Sequence, residues 1–178
     1  RVVLVTVANK GLGKKVVREL AGKGMIVYLG SRDIKRGEQA AADLAKAKLA
    51  VTVVELDVAD PASVMRAAAQ IAKEHGRLDV LINHAGIHLD APALDMAITE
   101  MRKIYETNAV GLVTVTHETR LLRRSPTPRI VNVASTTASH ALTCNPESML
   151  SRGAYASSKA AVTMLTVQYA NAFRRRPE

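Results

Sequence analysis

A chain of 178 residues, 48% of them hydrophobic and 23% charged, is long enough to bury one sizeable core and too short to call for a second domain. No apolar run reaches membrane-spanning length and no signal peptide is seen, so neither a membrane nor secretion is expected, while the single Cys144 excludes an intrachain disulfide framework and suits the cytoplasm. The formal net charge of +9 raises nucleic acid as a partner, but only Arg123-Arg124 and Arg174-Arg175-Arg176 cluster and aromatic interleaving is missing, so part of the charge is assigned to a small polyanion instead.

In chain order, residues 2–7 read as a short buried strand and residues 11–21 as the helix after it. Residues 25–29 form a second strand and 34–48 an Ala-rich helix with charges on its wet side. Residues 51–56 are the third strand; Asp60 then caps a helix whose first residue is Pro61 and which Gly76 stops. Residues 78–83 and 130–134 are the fourth and fifth strands, separated by a helical stretch over 97–124 that ends at a Ser-Pro-Thr-Pro breaker. Residues 135–153, with Pro146, read as a long irregular connection beside a site, and the helical period returns over 154–175.

The strands are built from Val, Ile and Leu with almost no aromatics, the composition of sheet strands covered on both faces. Strands alternating with helices predict βαβ units, hence an α/β fold with a doubly wound parallel sheet of the Rossmann type in three αβα layers. Ligands of such a sheet bind at the carboxyl ends of the strands, where Thr6, Ser31, Asp57, Asn83 and Ser135 fall.

Three local patterns carry chemistry. Between the first strand and helix, Gly11 offers a backbone conformation closed to other residues and Gly13 a close helix–sheet approach, leaving the helix N-terminus free for a pyrophosphate. After the second strand, Ser31 and Arg32 stand where an acidic residue would hold the ribose hydroxyls of NAD. With Lys10 in the glycine turn, Arg32 favours the 2′-phosphate of NADP(H) over NAD(H), unless Asp33 pairs with Arg32 and removes it from the task. Finally, Tyr155 and Lys159 lie four apart in a helical segment, so phenol and ammonium share one face, and a neighbouring cation favours the phenolate. Alone, that pair also reads as a half-buried tyrosine beside a solvated lysine, and Ser135 also reads as a cap at a strand end.

Taken together these residues resemble the short-chain dehydrogenases/reductases of the common type, over essentially the whole chain. Residues 6–13 match the family's glycine motif except that Val7 replaces its first glycine; Asp57-Val58 match the adenine-side pair; Asn83-His84-Ala85-Gly86 match its NNAG with His84 for the second Asn. Asn108, Ser135, Tyr155 and Lys159 match the catalytic positions. The Asn9-Lys10-Gly11-Leu12-Gly13 turn, the Ser31-Arg32-Asp33 ending and the long Ser135-to-Tyr155 interval are similar to carbonyl-reductase-like members that use NADPH on ketones, aldehydes and quinones.

The resemblance implies a proton donated by Tyr155, a second donor in Ser135, Lys159 on the nicotinamide ribose, and a water relay held by Asn108 in a locally interrupted helix. It implies a cofactor surface made of Thr6, Asn9, Lys10, Gly11, Leu12, Gly13, Ser31, Arg32, Asp57, Val58, Asn83, Ala85 and Gly86 together with Tyr155 and Lys159, and no metal. Either a monomer or a homo-oligomer is compatible with it. The family's sixth strand, Pro-Gly turn, substrate helix and seventh strand have no counterpart before Glu178, so a C-terminally shortened single domain over 1–178 is expected. A dinucleotide-binding sensor that has lost catalysis stays open as the alternative.

Overall fold

The structure, a computed structural model, describes residues 1–89, 93–144 and 152–174. Five strands, β1 (Val2–Val5), β2 (Ile26–Ser31), β3 (Thr52–Glu55), β4 (Val80–Asn83) and β5 (Arg129–Asn132), form one sheet in the order β3-β2-β1-β4-β5. The registered pairs β1–β2, β1–β4 and β2–β3 are all parallel. The order reverses between β1 and β4, the switch point of a doubly wound sheet.

The backbone falls into two compact units, residues 1–85 with 111–131, and residues 86–110 with 132–178. In the first, the two-residue period of the strands sorts their side chains into two cores. Val3, Val5, Val27 and Leu29 pack with Val17 of α1 (Gly11–Gly22) and with Ala40 and Leu44 of α2 (Ile34–Ala45). Val2, Leu4 and Tyr28 point the other way, against Val64 and Ile71 of α3 (Pro61–His75) and Val115 of α5 (Gly111–Glu118). β1 and most of β2 are therefore covered on both faces, which is why β1 reads as an unbroken apolar run, whereas β5 is only partly covered, with Val131 47% exposed.

Helix ends follow the sequence closely. Asp33 caps α2, Asp60 caps α3 ahead of Pro61, and Gly76 closes α3 in the left-handed conformation at φ +68°. Other boundaries move. The helix expected over 34–48 stops at Ala45, and β5 starts one residue earlier and ends at Asn132 rather than 134.

The stretch expected as one helix over 97–124 is four pieces: α4 (Ile98–Tyr105), a π-helical turn (Glu106–Val110), α5, and a 3₁₀ turn (Arg120–Arg124). Buried Asn108 sits in the π turn, where its side chain bonds outside the helix, a cause that periodicity does not reveal. The connection expected to be irregular contains a 3₁₀ turn (Thr136–Ala138) and a short helix, α6 (His140–Thr143). Serine caps make both: Ser135 accepts from the Thr137 N–H and Ser139 from the Leu142 N–H. Pro146, Arg175 and Arg176 lie outside the described residues. In the second unit α7 (Gly153–Arg174) packs against α4, the π turn and the 3₁₀ turn after Ser135.

Candidate active site

In the first unit the chain leaves β1 through a turn with two left-handed residues, Val7 at φ +50° and Gly11 at +54°. Glycine accepts that conformation freely; a β-branched residue does not. A Cβ on Gly13 would come within 2.6 Å of the Val7 carbonyl oxygen, so only glycine lets α1 begin this close to the strand. The amino end of α1 has no side-chain cap and no acidic residue in its first turn. Its free N–H groups and dipole therefore favour an anion. Lys10, Gly11 and Leu12 are exposed at this end, and Asn9, Lys10, Lys14 and Arg36 line an adjoining groove of about 220 Å³.

Two of the expected cofactor residues are bonded within the protein. Thr6 is fully buried, and its Oγ1 accepts from the N–H groups of His84 (3.0 Å) and Ala85 (2.8 Å), tying the exit of β4 to that of β1. Ser31 is also fully buried and donates its hydroxyl to the Asp33 carbonyl at 2.7 Å. Val58 buries its side chain where Gly111 leaves room, a Cβ there lying 2.8 Å from it, so only its backbone can face a ligand. The carboxylate of Asp57 accepts from the Ala59 N–H at 3.0 Å, and the Asn83 amide donates to Thr116 Oγ1 at 3.2 Å.

Asp33 does not take Arg32 away. It accepts from the Arg36 N–H at 3.1 Å and pairs with the Arg36 guanidinium at 3.2 Å, leaving Arg32 exposed at the end of β2. Sequence reading missed Arg36 as a groove residue, although its position four after Arg32 in the first turn of α2 was the available signal.

The second unit brings Asn108 and Lys159 together beside the first half of α7, which carries Tyr155, and Ser135 stands at the start of the 3₁₀ turn that packs on that helix. Lys159 is buried and donates its ammonium to the Val133 carbonyl at 2.8 Å, with Nζ 6.0 Å from the Tyr155 ring centre. Burial holds the Lys159 pKa below the usual lysine value, because the charged form loses its water. Asn108 Oδ1 accepts from the Ile87 N–H at 2.8 Å, while its amide donates to the Ile87 carbonyl and to Ser158 Oγ, both at 3.0 Å. A Cβ on Gly86 would lie 3.3 Å from Lys159 Nζ and 3.4 Å from Asn108 Oδ1, so Gly86, Asn108 and Lys159 converge on one spot.

Ser135 Oγ accepts from the Thr137 N–H at 3.3 Å and from the Thr137 hydroxyl at 2.9 Å, which leaves its own proton to give. It is a cap whose own proton these two bonds do not use. His88, not singled out from the sequence, sets its ring edge-on to Tyr155 with centroids 4.7 Å apart.

A family model described as short chain dehydrogenase matches residues 1–176. The chain belongs to that family. This family member is similar to a short-chain dehydrogenase/reductase of Aspergillus fumigatus, 36% identical over 175 residues that cover 93% of the chain and 66% of the relative. It is also similar to an NADPH carbonyl reductase of Sus scrofa, 39% identical over 151 residues, covering 83% of the chain and 51% of that protein. Among solved structures, a 3-ketoacyl-ACP reductase from Sinorhizobium meliloti superposes with a TM-score of 0.87 at 25% identity, covering 98% of this chain and 68% of the other. The chain spans about half to two thirds of the length of the curated relatives it matches. Among the described residues no helix is long and apolar enough to cross a membrane.

Proposed function

We propose that this short-chain dehydrogenase family member is an NADPH-dependent oxidoreductase that interconverts a small carbonyl compound (ketone, aldehyde or quinone) and its alcohol, as one catalytic domain in the cytoplasm. The observation that carries the reading is the buried Lys159 ammonium fixed on the Val133 carbonyl one helical turn from Tyr155. Burying a lysine ammonium away from an ion-pair partner costs stability, a cost that a catalytic use of the charge would account for. Here the positive charge stands beside the phenol that must part with a proton.

The residues present fit a dinucleotide. The uncapped start of α1 suits a pyrophosphate, and Arg32 with Lys10, near Arg36, suits a 2′-phosphate. When bound, the nicotinamide supplies the hydride. Tyr155 gives a proton to the substrate oxygen, and the free hydroxyl proton of Ser135 makes the second hydrogen bond to that oxygen and orients it. Lys159, its charge beside the phenol, would hold the nicotinamide ribose. Asn108 shapes the Gly86-Ile87 loop beside Lys159 and, in its locally interrupted helix, would hold the water through which the proton is replaced. Similarity to an NADPH carbonyl reductase supports the substrate class.

One observation favours the alternative of a dinucleotide-binding sensor: left-handed Val7 in the cofactor turn. NADPH oxidation measured against a panel of ketones, aldehydes and quinones separates the two, since a sensor binds without turnover. In the active protein, Tyr155→Phe lowers the rate by about 10²–10⁴-fold with NADPH affinity nearly unchanged, as expected when only a positioned acid is lost. A variant that kept more than about a tenth of the rate would remove Tyr155 from the chemistry.

A further inference from the structure

We propose that His84 is a positioning residue for the cofactor turn, clamping the carbonyl of left-handed Val7 so that α1 begins in the right place. The inference rests on the cofactor reading above and concerns two places where this chain departs from its family's pattern, which the structure brings into contact. Val7 is a β-branched residue held at φ +50°, a conformation that its side chain disfavours. Without an external hold, such a residue relaxes to negative φ and swings its peptide plane away.

The hold comes from β4. His84 Nδ1 lies 3.1 Å from the Val7 carbonyl oxygen. A carbonyl can only accept, so the ring donates from Nδ1 in either its neutral or its charged form. The backbone that delivers the ring is itself fixed: the His84 N–H reaches both the Ile82 carbonyl (3.1 Å) and Thr6 Oγ1 (3.0 Å), and the Ala85 N–H reaches the same hydroxyl at 2.8 Å. Gly13 completes the arrangement. A Cβ there would meet the Val7 carbonyl at 2.6 Å and His84 Nδ1 at 3.0 Å, so the clamp occupies the space that the first turn of α1 leaves open. It sits between β1 and β4, where the strand order reverses and where a ligand of this sheet binds.

The geometry makes a specific statement about coupling. With glycine in place of Val7 the left-handed turn costs nothing and the clamp loses most of its purpose. With valine it is needed. Asparagine carries its amide nitrogen the same number of bonds from Cβ as Nδ1 of histidine, so His84→Asn keeps the donor, whereas His84→Leu keeps bulk without it.

The test is a double-mutant cycle on Val7→Gly and His84→Leu, with His84→Asn beside it, reading NADPH dissociation constants and the thermal midpoint without cofactor. In the parent, which keeps Val7, His84→Leu should weaken NADPH binding about tenfold, the worth of one lost hydrogen bond, and in the Val7→Gly background less than about twofold. His84→Asn should stay within about threefold of the parent. Equal losses in both backgrounds, or an asparagine as damaging as leucine, would overturn the clamp. If the parent binds no dinucleotide, the cofactor reading fails, and the clamp is then judged on whether the thermal midpoints are non-additive. Should His84→Leu not fold, rescue by Val7→Gly supports the proposal and absence of rescue overturns it.

Discussion

At the scale of single residues, Lys159 separates stability from function. Its pKa in the folded protein is lowered by burial, so the unfolded chain binds more protons and stability rises with pH up to the ordinary lysine value of about 10.4. Lys159→Met, which fills the same space without charge, should therefore raise the thermal midpoint near neutral pH, by about 2–4 °C for each kcal/mol gained, and abolish the rise toward alkaline pH, while removing activity. Unfolding scans between neutral and alkaline pH check it, and a lower midpoint would mean that the bond to the Val133 carbonyl outweighs the lost hydration. Arg32 carries the second prediction. Because Asp33 engages Arg36, Arg32→Ala should weaken NADPH by about ten- to a hundredfold and leave NADH unchanged, as a charge-assisted contact worth about 1.5–3 kcal/mol would. An unchanged NADPH-to-NADH ratio assigns the preference to Lys10 or Arg36 instead. The pairing of Tyr155 with Lys159 was suggested by spacing, and Ser135 and Asn108 were named through the resemblance, whereas the choice of Arg36 by Asp33 was not legible. That choice depends on the first turn of α2, where a cap and an ion pair are made by one carboxylate.

Among the elements, the sheet is held at one end by a residue with no sequence signature. Asp79, just ahead of β4, is 3% exposed; its carboxylate accepts from the Val2 N–H at 2.8 Å and from the Ser125 hydroxyl at 2.6 Å, and Arg77 lies 3.3 Å away. Its backbone adds bonds to Val2 and Arg129, so β1, β4 and β5 meet at this one position. Burial alone would raise its pKa, but the hydrogen bonds from Ser125 and Val2, with the charge of Arg77, outweigh it and hold the carboxyl below the usual carboxylate range. The folded pKa being the lower one, this stabilisation is complete above the unfolded value of about 3.9 and is lost as pH falls through the folded value. Asp79→Ala should cost about 2–4 kcal/mol at neutral pH, since it strands a buried N–H and a hydroxyl, and should flatten the acid limb of the stability curve. Urea unfolding at neutral and acid pH measures both, and a loss under about 1 kcal/mol would show that water takes over the two donors. Strands and caps were readable because each rests on a local pattern: apolar runs for β1 and β2, Asp60-Pro61 and Gly76 for α3. The break of the helix at 106–110 was legible only through the resemblance, because it follows from the bonds of Asn108 to Ile87 and Ser158, which lie far off in sequence.

For the molecule as a whole, composition foretold the architecture better than the distribution of charge. Aliphatic strands with almost no aromatics required a sheet covered on both faces, and the two cores of the first unit meet that requirement. Part of the charge of +9 is met locally, Lys14 by Asp43 at 2.7 Å and Arg36 by Asp33. Helical period did not show how unevenly α7 is buried. Its buried residues are Ala154, Ser158, Lys159 and Val162, all in the first half, while Met164, Val167 and Phe173 are 59%, 51% and 58% exposed. Local stability follows buried apolar contact, so the two regions should open with different free energies. Amides of β1 and β2, whose strands are enclosed on both faces, should exchange with solvent only on global unfolding. Those of residues 165–174 should exchange at least about a hundredfold faster, through local opening that costs roughly 2.7 kcal/mol less. Hydrogen exchange followed by mass spectrometry resolves the two sets of peptides, and NADPH at saturating concentration should further slow the peptide over 6–13, because a ligand that binds only the folded form adds its binding free energy to the cost of opening. Protection of 165–174 equal to that of β1 would mean that its apolar side chains are covered in solution, and that the stability of α7 comes from contacts other than the buried residues of its first half.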